Sequence, residues 1–166
     1  MQHHDTPREE PAEHLRFAAH LRALERVSDA DEADLVGEVL ADPDRTMAQS
    51  AVLRHLDRRA ADLHHEPAYE PWAASMTRAT LHHPFLTRRL REWSLLRALT
   101  LGQRWHQDAL LDSSDWLQHR AATGSNTGAL EVLADRGRTQ RIRATARTTL
   151  EQQRRSRRAA PRRTVP

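Results

Sequence analysis

Histidine is the side chain in this sequence best suited to chemistry, since there are eleven of them and no cysteine. Three doublets stand out, His3-His4, His64-His65 and His82-His83, the last two at the ends of predicted helices. Two such ends meeting in space, with Glu66 beside them, would offer nitrogen and oxygen ligands to a zinc ion. Neighbours on a helix, however, point about 100° apart, so one doublet rarely supplies two ligands. No HExxH or comparable spaced pair is present. The plainer reading is polar residues that close helices, and we expect neither a metal nor any other cofactor.

Nucleophilic chemistry has less to work with. The lack of cysteine removes thiolate catalysis and disulfides together. There is no Gly-x-Ser-x-Gly elbow and no glycine-rich phosphate loop. Asp112 and Asp115 flank Ser113-Ser114, a spacing that puts both carboxylates on one helical face. At a loop-to-helix junction such groups usually cap the helix. No catalytic residue is assigned, and a non-enzymatic role is expected.

Two groups of residues suit binding instead. Six of the seven aromatic residues fall between positions 69 and 116. Trp93 sits on an apolar helical stripe, whereas Trp72, Trp105 and Trp116 lie near helix starts, where they could border a groove. Arg143, Arg147, Arg154 and Arg158 recur near multiples of a helical turn, opposite Ile142, Ala146, Thr149 and Leu150. A helix packed by one face and cationic on the other can bind phosphates. The competing reading is a solvated face that complements the negative end of the helix dipole.

Composition sets the frame for these candidates. A length of 166 residues suits one domain, and 38% hydrophobic with 30% charged residues suits a water-soluble protein. No apolar run reaches the roughly 18 residues of a membrane span. The start, MQHHDTPREEPAEH, has neither the basic beginning nor the apolar stretch of a secretory signal, so the cytoplasm is the expected location. All 26 basic residues are arginine and Ile142 is the sole isoleucine, the mark of a GC-rich bacterial genome. Residues 136–166 hold eleven arginines and only Glu151, a net +10, whereas residues 1–135 net −7. An acidic body carries a basic end, which serves either as an interaction tail or as a cover for the body.

The elements that must position these residues are helical. Residues 1–10 are expected to be disordered, 11–155 to form one helical domain, and 156–166 to be a loose basic tail. Helices are predicted from Pro11, from Ser28–Asp31 to Asp42-Pro43, and from Thr46, with Gln49 completing a capping box, to His64-His65. Further helices run from Pro71 to Leu81 and from Phe85 to Leu101, where Gly102 stops the chain. A turn or two follows at 105–112, then a helix capped by Ser113 or Ser114. Two more helices, at 127–135 and 139–155, are divided by Gly137. With no alternating β pattern and only five glycines, the fold class is all-α, with about seven to nine helices.

One repeat organises these helices. Glu-Val-Leu-Ala-Asp-Pro-Asp-Arg-Thr at 38–46 matches Glu-Val-Leu-Ala-Asp-Arg-Gly-Arg-Thr at 131–139 in seven of nine positions. The register carries on to Ala51 over Ala144 and Arg54 over Arg147, with the small alanine expected inside each hairpin. Segments 38–56 and 131–150, notably Asp135, Arg143, Ala146 and Leu150, resemble the hairpin of HEAT-like helical repeats. That resemblance implies a short stack of antiparallel helical hairpins and a non-enzymatic adaptor or scaffold that binds a protein partner. The alternative is a compact bundle in which the two similar hairpins arose from a biased vocabulary. A second function is nucleic-acid association through the arginine-rich C-terminal helix and tail. A third is a HEAT-like DNA glycosylase or metal-dependent enzyme, since Asp115-Trp116 resembles the Asp and Trp with which such glycosylases hold DNA.

The metal reading has a direct check. Untagged protein should carry less than about a tenth of a zinc or iron ion per chain, because each doublet is a poor chelating pair. Elemental analysis finding one metal per chain, lost on mutating His64 and His82, would overturn it.

Overall fold

The computed structural model describes residues 12–159, so the expected disordered residues 1–10 and the tail beyond Ala159 lie outside the described residues. Within them the protein is all-α, with nine helices and no strand. The helices are α1 (Ala12–Arg26), α2 (Glu32–Leu40), α3 (Arg45–Leu63), α4 (Tyr69–Ala79), α5 (Pro84–Thr100), α6 (Gln107–Leu111), α7 (Asp115–Ala122), α8 (Thr127–Arg136) and α9 (Gln140–Ala159). Contacts group the chain into two compact units, Met1–Leu90 and Arg91–Pro166, with the boundary inside α5.

In the first unit, α1, α2 and α4 all pack on α3. The reason lies in the face that α3 buries: Ala48, Ala51, Val52, Leu56 and Ala60 are fully covered, and three of these five are alanine. Small residues let neighbouring helices approach closely on more than one side. The cap of α3 differs from the predicted Thr46–Gln49 box. Asp44, two residues earlier, accepts the Met47 amide at 3.0 Å. Its own amide donates to Asp42 Oδ1 at 2.9 Å. Asp42 therefore braces the turn, and its other oxygen meets His20 Nε2 at 3.0 Å and Arg16 Nε at 3.7 Å, tying α1 to the α2–α3 turn. The His20 bond, then the Asp44 amide, holds the Asp42 carboxyl below its ordinary pKa. α4 begins at Tyr69, two residues ahead of the expected Pro71. Proline is tolerated there because amides of the first turn have no partner within the helix.

The second unit is built around Leu99, Leu110, Ala121, Leu130, Leu133, Ile142, Ala146 and Leu150. α9 packs on both α7 and α8. Gly102, at φ +65°, ends α5 as expected, and the Gln103 amide returns to the Ala98 carbonyl at 2.9 Å. Ser114 holds the N-cap position of α7, yet the capping group comes from elsewhere. The Glu92 carboxylate accepts the Ser114 amide at 2.7 Å and its hydroxyl at 2.8 Å. Asn126 caps α8 by accepting from the Ala129 amide at 3.0 Å and donates to the Leu99 carbonyl at 3.1 Å. Between α8 and α9 a side chain at Gly137 would meet the Leu133 carbonyl oxygen at 2.6 Å and Ile142 Cγ2 at 2.8 Å. Only glycine permits that close an approach. α9 continues to Ala159, four residues past its predicted end at 155, and Arg157 reaches the Thr127 hydroxyl at 3.1 Å.

The matched segments do form hairpins, α2–α3 and α8–α9, with breaks at 41–44 and 137–139. Turns this short force each pair to run antiparallel. The inward positions, however, follow a register one residue longer than the matching letters. Val36 corresponds in burial to Leu130, Val39 to Leu133, Ala48 to Ile142, Val52 to Ala146 and Leu56 to Leu150. Ala51 is buried while its letter-match Ala144 is exposed, so Ala146 is the small residue inside the second hairpin. Ala146→Leu should therefore cost about 1–3 kcal/mol through overpacking, and Ala144→Leu should stay within about 0.5 kcal/mol. Urea denaturation of the two variants checks the assignment, and the reverse ranking would refute it.

Candidate functional site

The first unit places a carboxylate inside the protein. Glu32, in the first turn of α2, is 2% exposed. α3 brings two groups one turn apart to meet it: His55 Nε2 lies 2.7 Å from Oε1, and Arg59 donates Nε–H to Oε1 and Nη2–H to Oε2, each at 3.1 Å. α4 adds the Trp72 indole N–H, 3.0 Å from Oε1. His55 Nδ1 faces Arg58 Nη2 at 3.2 Å, and a guanidinium can only donate. His55 therefore accepts at Nδ1 and donates to Glu32 from Nε2. Burial alone would raise the Glu32 pKa, but the bonds from His55, Arg59 and Trp72, with the Arg59 charge, bring it down to about 2. The same pairing, Glu32 first, raises the Arg59 pKa.

This cluster forms one wall of a cleft of about 260 Å³, lined also by Asp29, Leu63, Pro71 and Met76. Asp29 sits on the rim, 88% exposed, with Oδ1 2.6 Å from Arg59 Nη2. Three of the four donated bonds to Glu32 converge on Oε1 and one reaches Oε2. With its pKa at about 2, it stays ionised at neutral pH. Leu63, Trp72 and Met76 give the cleft an apolar lining beside the charged Asp29 and Arg59.

The sequence-predicted site residues are divided between the two units. Trp72 lines this cleft in the first unit, while Trp105 and Trp116 belong to the second. Trp105 is half-buried against the core of that unit. Trp116 meets Trp93 edge-on at 5.2 Å, and the Arg120 guanidinium lies 5.0 Å from the Trp116 ring and 5.1 Å from that of Trp93. Asp115 faces Arg138 at 3.5 Å, so the Asp115-Trp116 pair is engaged with its own chain. Arg143 donates to the Gly137 carbonyl at 2.7 Å and serves the α8–α9 turn, whereas Arg147, Arg154 and Arg158 are exposed. His64 and His65 touch each other at 3.8 Å between ring centroids. His82 and His83 line a separate cleft of about 370 Å³ with Arg45 and Gln49. No cluster of three metal-ligating residues occurs among the described residues.

Sequence reasoning missed Glu32, His55 and Arg59. The one available signal was His55 and Arg59 at an i, i+4 spacing on the inner side of α3. Nothing local connected them to a glutamate more than twenty residues earlier.

Compared with family models, curated proteins and solved structures, the chain matches none. The likeness to HEAT-like hairpins thus rests on the two segments themselves.

Replacing Glu32 tests the role of the cluster. With a folded pKa of about 2 against an ordinary 4.5, its ionisation stabilises the fold fully above pH 4.5 and progressively less as the pH falls towards 2. The loss should amount to about 3 kcal/mol over that interval. Glu32→Gln should lower stability at pH 7 by about 3–5 kcal/mol, since it strands Arg59 beside a neutral amide. Urea midpoints of the variant should also fall less steeply between pH 5 and 2. An equally steep fall would show that other carboxylates carry the acid sensitivity.

Proposed function

We propose that the protein is a non-enzymatic helical adaptor or scaffold, HEAT-like in its hairpins, that binds a protein partner in the cytoplasm. The observation that carries this reading is the corner between α4 and α5. Leu81 is 64% exposed and Phe85 54%, four residues apart on the same corner. Large apolar groups paired on a surface are characteristic of contact sites, where an aromatic anchor often supplies much of the affinity. The commitment of Glu32, Asp42 and Glu92 to internal hydrogen bonds supports the same reading, because these carboxylates hold structure together. No helix among the described residues is long and apolar enough to cross a membrane.

The test is Leu81→Ser with Phe85→Ser. Both side chains are mostly outside the core, so thermal stability should change little. Full burial of each in an interface would contribute about 1.5–3 kcal/mol. Binding to the partner recovered from the native cell should therefore weaken by about 100-fold or more. A photo-crosslinker placed at position 85 should capture that same partner. Wild-type affinity in the double variant, or no crosslink from position 85, would overturn the proposal.

A further inference from the structure

We infer that the outer ridge of α9 is a sequence-independent docking surface for the phosphate backbone of nucleic acid. This goes beyond the adaptor reading and uses a different face of the chain. α9 is anchored by Ile142, Ala146 and Leu150. Farther along, Gln153 donates to the Gly124 and Ser125 carbonyls, each at 3.3 Å. With the inward side fixed, helical geometry places Arg143, Arg147, Arg154 and Arg158 within about 60° of one another on one flank of the helix, roughly 90–100° from the inward residues. Arg143 is spent on the α8–α9 turn. Arg147, Arg154 and Arg158 remain exposed, and Arg155, 82% exposed, stands beside them.

From Arg147 to Arg158 the ridge is roughly 16 Å long at 1.5 Å per residue. That covers about five phosphate steps of one strand at 3.4 Å per step. Guanidinium groups grip phosphate oxygens in a two-pronged fashion, which suits a row of arginines to a row of phosphates.

The surroundings favour a polyanion over an acidic protein. Residues 152–159 contain four arginines and no carboxylate. Glu151 is the sole acid on α9, 4.0 Å from Arg155. Of the exposed acids of α8, Asp135 lies in the last turn, beside the opening turn of α9, and Glu131 lies at the middle of the helix. The distal half of α9 lies instead beside uncharged Gly124, Ser125 and Thr127. A protein interface would be expected to offer an apolar anchor. Among the described residues the exposed large apolar ones are Leu15, Leu81, Phe85 and Leu101, none of them on α9. A GC-rich coding bias explains arginine in place of lysine, but not four cations in eight residues with no acid among them.

The experiment is fluorescence anisotropy of the full chain with a fluorescein-labelled 20-base-pair DNA and a 20-nucleotide RNA, over a series of salt concentrations. Micromolar binding is expected at low salt, with log K falling linearly against log salt. Arg154→Gln/Arg155→Gln/Arg158→Gln should weaken binding more than tenfold and reduce the slope by about 2–3. Arginine and glutamine have similar helix propensity, so far-UV circular dichroism and the urea midpoint should not move. Arg162→Gln/Arg163→Gln, beyond the described residues, should have the smaller effect. The inference is overturned by no salt-dependent binding, by wild-type binding in the ridge variant, by loss of binding only in the 162/163 variant, or by poly-glutamate competing as well as DNA.

Discussion

A charge removed from water must find its counter-charge and its hydrogen bonds inside the protein, and in the first unit that charge belongs to Glu32. Its four donors come from two helices, so α2, α3 and α4 cannot settle independently. α2 has nine residues and α4 eleven, lengths at which an isolated helix barely holds together in water. A slide of α4 by one residue would carry the Trp72 indole away from Oε1 and leave a polar N–H stranded. The carboxylate thus fixes register where alanines alone would permit several packings. That specificity has a cost, since burying an ion pair rarely gains stability over a well-packed apolar cluster.

The second unit solves a related problem with mostly neutral groups. Gln118 is fully buried, its amide N–H₂ donates to the Leu110 and Leu111 carbonyls, and its oxygen accepts from the Arg138 amide. One side chain thereby satisfies the end of α6 and the start of the segment entering α9. Glu92 performs a comparable task at the start of α7. Helix ends, each leaving several backbone groups without intrahelical partners, are the recurrent difficulty in a fold made of short helices. Side chains from distant helices, Glu92 and Gln118, meet that difficulty alongside local caps such as Asp44 and Asn126.

This explains what was legible in the sequence. Periodicity located the helices and their inward faces well, because burial follows the 3.6-residue repeat in Val36–Val39, in Ala48–Val52–Leu56 and in Ile142–Ala146–Leu150. Proline and glycine marked the breaks at Pro43, Gly102 and Gly137. Capping was harder. Thr46 and Ser114 looked adequate, yet Asp44 and the distant Glu92 did the work, and only three-dimensional proximity reveals a cap supplied from another helix. Letter identity in the two hairpins also misled about Ala144, because the inward face is shifted by one residue against the matching letters on both sides of the turn. The Glu32 cluster was least legible, since its members lie on three helices and only His55 and Arg59 share a local spacing.

The four tryptophans are divided unevenly, with Trp72 alone in the first unit and Trp93, Trp105 and Trp116 in the second. Trp72 donates directly to an ionised carboxylate, whereas Trp93 and Trp116 meet edge to face beneath a guanidinium. These are distinct optical environments. The paired indoles are close enough to couple their near-ultraviolet transitions, and the solitary one senses the charge on its acceptor. The molecule therefore carries separate spectroscopic reporters for its two halves, with the emission of Trp72 tied to the protonation of Glu32.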